Sequence, residues 1–236
     1  MTDDRKGKPG IKITKDGPYV VRGHVPLAED HIVIGPDGEP EKWENGASYP
    51  ERESCSLCRC GRSKNKPFCD GSHLETGFDG TEAAEKRPYL EGSEKESGPG
   101  VDLTWSESLC ACARFCHAGE DAWGYMERSD DPEARRRAVQ EACDCPSGSL
   151  VAWDKKTGKA IEPDLAPGIG LIEIPETGMS GPIRVKGGIP IESADGVAYE
   201  VRNRVTLCRC GRSKKKPFCD GSHIEDGFQA KPGDRS

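Results

Sequence analysis

The chain has 236 residues, with 34 Lys and Arg against 41 Asp and Glu for a net charge of −7, and only 33% of it is hydrophobic and 6% aromatic. That composition excludes one large apolar core and a global field for nucleic acid, and no run of about 18 apolar residues offers a membrane span. Twelve cysteines and four tryptophans argue for small folded units held by metal or disulfide as well as by packing. The N-terminal MTDDRKGKPG lacks the apolar segment of an export signal, so a cytoplasmic location is expected. A reducing compartment favours metal ligation or redox chemistry over structural disulfides.

In chain order, GPYVVRGHVPL (17–27) places apolar residues at Tyr19, Val21 and Val25 and predicts a short strand and turn. HIVIGPDGEPEKW then predicts a hairpin around a Pro36–Gly38 turn. The peptide CRCGRSKNKPFCDGSH occupies 58–73, and EGSEKESGPG (91–100) has the composition of a linker. A distinct block from Val101 to about Pro163 follows. Within it Asp131 as N-cap, Pro132 at the first helical position and Glu133 predict a helix to about Ala142, just before CDCPSG. GPIRVKGGIPI (181–191) then aligns without gaps on 17–27, its Ile183, Val185 and Ile189 repeating the strand pattern. CRCGRSKKKPFCDGSH (208–223) repeats the first cysteine peptide with only Asn65 replaced, by Lys215. The strand segments are offset by 164 residues and the cysteine peptides by 150, so the first copy carries an insertion of 14 at the hairpin. The expected organisation is a first module with inserted hairpin over 1–90, a linker over 91–100, a separate unit over 101–165 and a second module over 166–236.

Cys58, Cys60, Cys69 and His73 have the spacing C-x-C-x8-C-x3-H, and Cys208, Cys210, Cys219 and His223 reproduce it. In an extended segment residues i and i+2 share a face, so each C-x-C pair can grip one metal. Cys69 and His73 can meet if the chain turns helical after Cys69. Asp70 is placed to cap that turn, and Gly71 and Ser72 to let amides approach the sulfurs. Zinc accepts three Cys and one His, but its structural sites usually space paired cysteines by two to four residues. A cluster that divides four ligands between two irons suits one close pair and a second pair further along. Its net negative charge would suit Arg59, Arg62, Lys64 and Lys66, and Arg209, Arg212, Lys214 and Lys216 in the second copy, whose other reading is a basic docking patch. Cys55 makes a tempting C-x2-C with Cys58, but its equivalent in the repeat is Val205, so it is read as a non-ligand.

This motif closely resembles that of the CDGSH iron-sulfur (NEET) family, whose ligands fall on these four positions. The resemblance implies that each module binds a 2Fe-2S cluster through three Cys and one His. It also implies that two modules pair, so that one chain with two copies would be its own dimer, a monomer with an internal pseudo-twofold. The expected fold class is α+β and β-rich: two small paired modules plus a small ferredoxin-like α+β domain.

The middle block carries Cys110, Cys112, Cys116, Cys143 and Cys145, the last opening CPSGSL. A Cys-Pro after a helix, with C-x5-C well before it, resembles the divergent single-cluster ferredoxin domains. A four-iron run reads C-x2-C-x2-C with a distant C-P, and here Ala113 stands at its second cysteine. Cys110, Cys116 and Cys145 are therefore expected to hold a 3Fe-4S cluster, with a 4Fe-4S cluster completed by Cys112 as the alternative. Cys143 is read as a packed thiol and His117 as a surface residue. Trp105, Phe115, Trp123, Tyr125 and Trp153 are read as core over the cluster.

No nucleophile triad, phosphate loop or dinucleotide fingerprint is visible. The expectation is a non-enzymatic protein for one-electron transfer or redox sensing, working with a redox partner protein. Two alternatives stand beside it: delivery of clusters to an apo acceptor through acid-labile His ligands, and a zinc-binding interaction scaffold.

Overall fold

The computed structural model describes residues 7–230; the outermost six residues at each end, including most of the N-terminal segment considered above, lie outside the described residues. The chain is mixed α+β and strand-rich, with few helices. Near the N-terminus lie β1 (Gly10–Ile13), β2 (Tyr19–Arg22), β3 (Leu27–Ile34), β4 (Pro40–Ser48), β5 (Ser54–Leu57) and a single helical turn, α1 (Ser72–Glu75). The central block contributes β6 (Glu94–Ser97), β7 (Val101–Trp105), α2 (Asp121–Glu127), α3 (Pro132–Asp144), β8 (Leu150–Asp154) and β9 (Ala160–Ile161). The C-terminal part holds β10 (Gly168–Ile174), β11 (Met179–Lys186), β12 (Ile191–Glu192), β13 (Arg204–Leu207) and α4 (Ser222–Glu225).

The two ends of the chain build two sheets that exchange strands. One sheet runs β12-β1-β2-β5 and the other β13-β11-β10-β3-β4. After β2 the chain leaves its own sheet, and β3 pairs in parallel with β10, Leu27 opposite Ile169. After β11 it does the converse, and β12 pairs in parallel with β1, Ile191 opposite Ile11. The crossing residues are the repeated tails Val25-Pro26-Leu27 and Ile189-Pro190-Ile191. Proline after each turn has no amide to leave unpaired and holds the chain extended as it crosses.

Between the sheets lies one apolar core containing Ile11, Ile13, Tyr19, Val21 and Leu57 from the N-terminal half and Ile169, Leu171, Ile183, Val185 and Leu207 from the C-terminal half. Neither half has this many buried side chains alone. At roughly 1.5–3 kcal/mol for each large apolar side chain buried, sharing the core is how two β-sheets this small become stable.

β3 and β4 form an antiparallel hairpin whose turn is closed by Gly35 N to Glu39 O (2.8 Å) and Gly38 N to Gly35 O (3.0 Å). Its outer end leaves the two-sheet body and docks on the central block. There Trp43 stacks on Phe115 at 4.7 Å, its indole N–H donates to the carbonyl of Asp144 (3.1 Å), and Glu39 pairs with Arg114. Phe115 thus belongs to this junction, with Ile32 and Ile172, and not to the interior of the central block. The sheet β6-β7-β8-β9 packs on α2 and α3 through Val101, Leu103, Met126, Ala138, Ala142 and Leu150, with Trp105, Trp123 and Tyr125 packed against this core; Trp153 lies outside it, its indole N–H donating to Thr104 Oγ1 (2.8 Å). Asp131 caps α3, its carboxylate accepting from the amides of Glu133 (3.0 Å) and Ala134 (2.8 Å).

Candidate metal centres

β5 leads directly into Cys58 and Cys60, whose sulfurs lie 3.8 Å apart. The residue between them points the other way. Arg59 is buried behind the loop, donating to the carbonyls of Gly80 (2.6 Å) and Thr14 (3.3 Å) beside the Tyr19 ring. Arg209 does the same in the second copy, bonding Gly181 O and Ile172 O (both 3.0 Å) and the Glu173 carboxylate (2.8 Å). These arginines are therefore buried anchors that tie each loop to neighbouring backbone, and not part of a solvent-facing basic ring. Lys66 and Lys216 do face their C-x-C pairs, and each positive charge lowers the neighbouring thiol, Cys58 or Cys208.

Beyond Gly61 the chain folds back, with Cys58 N bonding Pro67 O and Cys69 N bonding Ser56 O, both at 2.8 Å. Gly71, at φ 89°, starts the α1 turn and brings His73 Nδ1 to 3.4 Å from Cys69 Sγ. Asp70 holds the turn: one carboxylate oxygen accepts from Ser72 N (3.0 Å) and Ser72 Oγ (2.6 Å), the other from Lys64 N across the loop (2.7 Å). Backbone amides point at the sulfurs, Arg62 N at Cys60 (3.4 Å) and the amides of Gly61 and Ser63 at Cys58. The second copy repeats this, with Cys208 to Cys210 at 3.8 Å, Cys219 to His223 at 3.4 Å and Arg212 N to Cys210 at 3.4 Å.

The donors thus come as two pairs per loop. Among the described residues no three His, Cys, Asp or Glu side chains converge on one point, as a mononuclear zinc site requires. Three thiols and an imidazole in facing pairs, with amide donors aimed at sulfur, fit a binuclear anionic cluster, one pair for each iron. Within each close pair the hydrogen bond between the sulfurs is the main influence, lowering the Cys58 thiol beside Cys60 and the Cys208 thiol beside Cys210.

In the central block, the neighbouring Cys112 is the main influence that lowers the Cys110 thiol. Cys116 is pushed up to about 12, first by burial and then by the charges of Cys145 and Cys110. The loop is strained: Cys112 (φ 56°) and Arg114 (φ 65°) both adopt the left-handed conformation, at a cost of about 1–2 kcal/mol each. Cys143 turns away, its thiol donating to Ile161 O (3.7 Å), and His117 is exposed. Cys145 follows the C-terminus of α3, whose free carbonyls at Ala142, Cys143 and Cys145 all accept from Arg204 (2.7–2.8 Å). A cation there satisfies the last turn and its dipole. Arg204 lies on β13, and only its burial in the fold reveals this role.

The family model described as "Iron-binding zinc finger CDGSH type" matches residues 16–74 and again 180–224, and one described as "Divergent 4Fe-4S mono-cluster" matches 96–155. A human protein named "CDGSH iron-sulfur domain-containing protein 3, mitochondrial" is 43% identical over 50 residues, covering 21% of this chain and 35% of the relative. The chain therefore spans about a third of that relative's length. No solved structure matches. The repeated loop geometry and the family matches fall on the same residues: the chain carries two regions of the CDGSH iron-sulfur type flanking one that matches a divergent 4Fe-4S mono-cluster domain.

Proposed function

We propose that this protein is a multi-cluster one-electron carrier. Cys58, Cys60, Cys69 and His73 would hold one 2Fe-2S centre and Cys208, Cys210, Cys219 and His223 another. Cys110, Cys116 and Cys145 would hold the third, with Cys112 as fourth ligand of a 4Fe-4S cluster. The 4Fe-4S description of the matching family favours four irons over the three-iron alternative. The observation that carries the reading is the pairing of donors in each CDGSH loop, 3.8 Å and 3.4 Å apart, under converging amides. We further read the two modules as an intramolecular pseudo-dimer, a reading supported by the reciprocal strand exchange. The partner we propose is a redox protein, and the chemistry involves no substrate turnover.

Iron and acid-labile sulfide analysis with electron paramagnetic resonance tests this. About eight irons and eight sulfides per chain, with signals only after reduction, are expected; an oxidised-state signal with about seven irons restores the 3Fe-4S assignment. Zinc without sulfide overturns the reading. Cluster delivery is favoured at the first loop alone, where His73 is partly open to solvent while His223 is buried. Transfer to an apo acceptor from that loop only would support it.

A further inference from the structure

In sequence order the ferredoxin-like loop lies between the two CDGSH loops, but in space the order is different. The first contact joins the two CDGSH loops back to back. Any side chain at Gly61 would run into the carbonyl of Cys210, and any at Gly211 into the carbonyl of Cys60. Each glycine follows a ligand and touches a ligand residue of the other loop. Both have positive φ, 72° and 81°, so conformation and close approach demand glycine together. The fully buried Tyr19 adds a bridge, its hydroxyl donating to the carbonyls of Cys208 (2.9 Å) and Pro217 (3.2 Å).

The second contact joins the second CDGSH loop to the ferredoxin-like loop. A methyl group on Gly221 would stand 2.7 Å from Cys112 Sγ, and Cys112 Sγ itself lies 4.0 Å from the carbonyl oxygen of Asp220. Lys215 Nζ donates to Glu107 O (3.1 Å), Arg202 to Gly148 O (2.5 Å), and Arg204 holds the carbonyl of Cys145. The first loop has no such junction. Gly71, the equivalent of Gly221, has nothing within 4 Å of where a side chain would begin. Among the described residues, no hydrogen bond or ion pair joins 58–73 to the central block.

Resting on the reading that all three loops hold clusters, we propose that the second CDGSH loop is the central member of a series of three. It is coupled to the first loop through Gly61 and Gly211, and to the ferredoxin-like loop through Gly221 and Cys112. When bound, neighbouring clusters exchange one electron, the donor oxidised as its neighbour is reduced, with no bond or proton moved. Electronic coupling falls steeply across gaps, so ligand residues in van der Waals contact make the favoured junctions.

The test is the spin relaxation of the ferredoxin-like centre in the full chain reduced with dithionite. Removing the second centre (C208S/C210S) should abolish the relaxation enhancement and splitting of its signal, and removing the first (C58S/C60S) should leave them unchanged. Should a variant not fold, pulsed dipolar spectroscopy of the unaltered chain decides, because the first-to-ferredoxin distance must exceed both others. Three centres present by iron and sulfide analysis, but with the ferredoxin-like centre responding equally to loss of the first loop, or with that distance not the longest, overturn the series alone. Absence of sulfide in the unaltered chain overturns the cluster reading and the series with it.

Discussion

The two CDGSH loops differ at one residue in sixteen, and their internal geometry is the same to a tenth of an ångström at each donor pair, yet their surroundings are opposite. In the first loop His73 is half-buried, Cys69 is partly open and Leu74 is 81% exposed. In the second, Cys219 and His223 are 2% and 7% exposed, Gly221 is covered by Cys112, and Phe228 packs close behind. Burial, and then the charge of Arg209, push the His223 imidazole down to about 4. The lesson is that a short peptide dictates how ligands face one another, whereas the rest of the fold dictates what reaches them. The first loop is left open to solvent and the second is enclosed.

The strongest way to break the comparison is at the contact the loops share. Gly61→Ala or Gly211→Ala should each cost more than about 3 kcal/mol and prevent loading of both CDGSH sites together, because a methyl has only backbone to meet. Iron content and urea unfolding of each variant check this, and loss at one site alone would contradict it. The next test separates the loops. Gly71→Ala and Gly221→Ala share the cost of positive φ, 89° and 86°, roughly 1–2 kcal/mol, but only the second also meets a sulfur. The Gly221 variant should therefore unfold at clearly lower urea and disturb the ferredoxin-like signal, which the Gly71 variant leaves intact.

A milder effect concerns access. Under an iron chelator the first centre should be lost about tenfold faster than the second, a difference of about 1.4 kcal/mol in opening free energy, as read from visible bands in chains lacking one or the other. Equal rates would mean that burial of His223 does not protect its site.

A last test extends the comparison to the ferredoxin-like region, which holds a buried carboxyl. Glu141 is buried, neither oxygen has a hydrogen-bond partner, and the nearest cation, Arg137, is 3.9 Å away, so burial raises its carboxyl from 4.5 to about 8. The folded state keeps its proton while the unfolded state loses it. Stability should therefore fall as pH rises from about 4.5 to 8, by at most about 1.4 kcal/mol per pH unit. Glu141→Gln should flatten this slope in urea titrations at pH 6 and pH 8.

Much of this architecture was legible beforehand where a residue's role depends on its close neighbours. The C-x-C sulfurs meet because they stand two residues apart, Cys69 meets His73 because a helical turn spans four residues, and Asp131-Pro132-Glu133 starts a helix wherever it is placed. Arg59 and Arg209 were misread as cluster-facing, although the alternation that aligns the cysteines also turns the arginine between them inward. Phe115 was assigned to the wrong core because its partner, Trp43, is 72 residues away on an inserted hairpin. Arg204 carries no local sign of capping α3, since its acceptors, near 142–145, lie about 60 residues earlier in the chain.

By itself, the amino-acid order determined the donor sets, the duplication and the strand patterns, since hydrogen bonding and side-chain alternation act over a few residues and repeat wherever the peptide repeats. Only the tertiary structure decided which halves exchange strands, which loop is buried and which loop touches both of the others. Those outcomes depend on apolar area and backbone surfaces brought together from distant segments, where a single close approach such as Gly221 on Cys112 is set by packing of the whole chain.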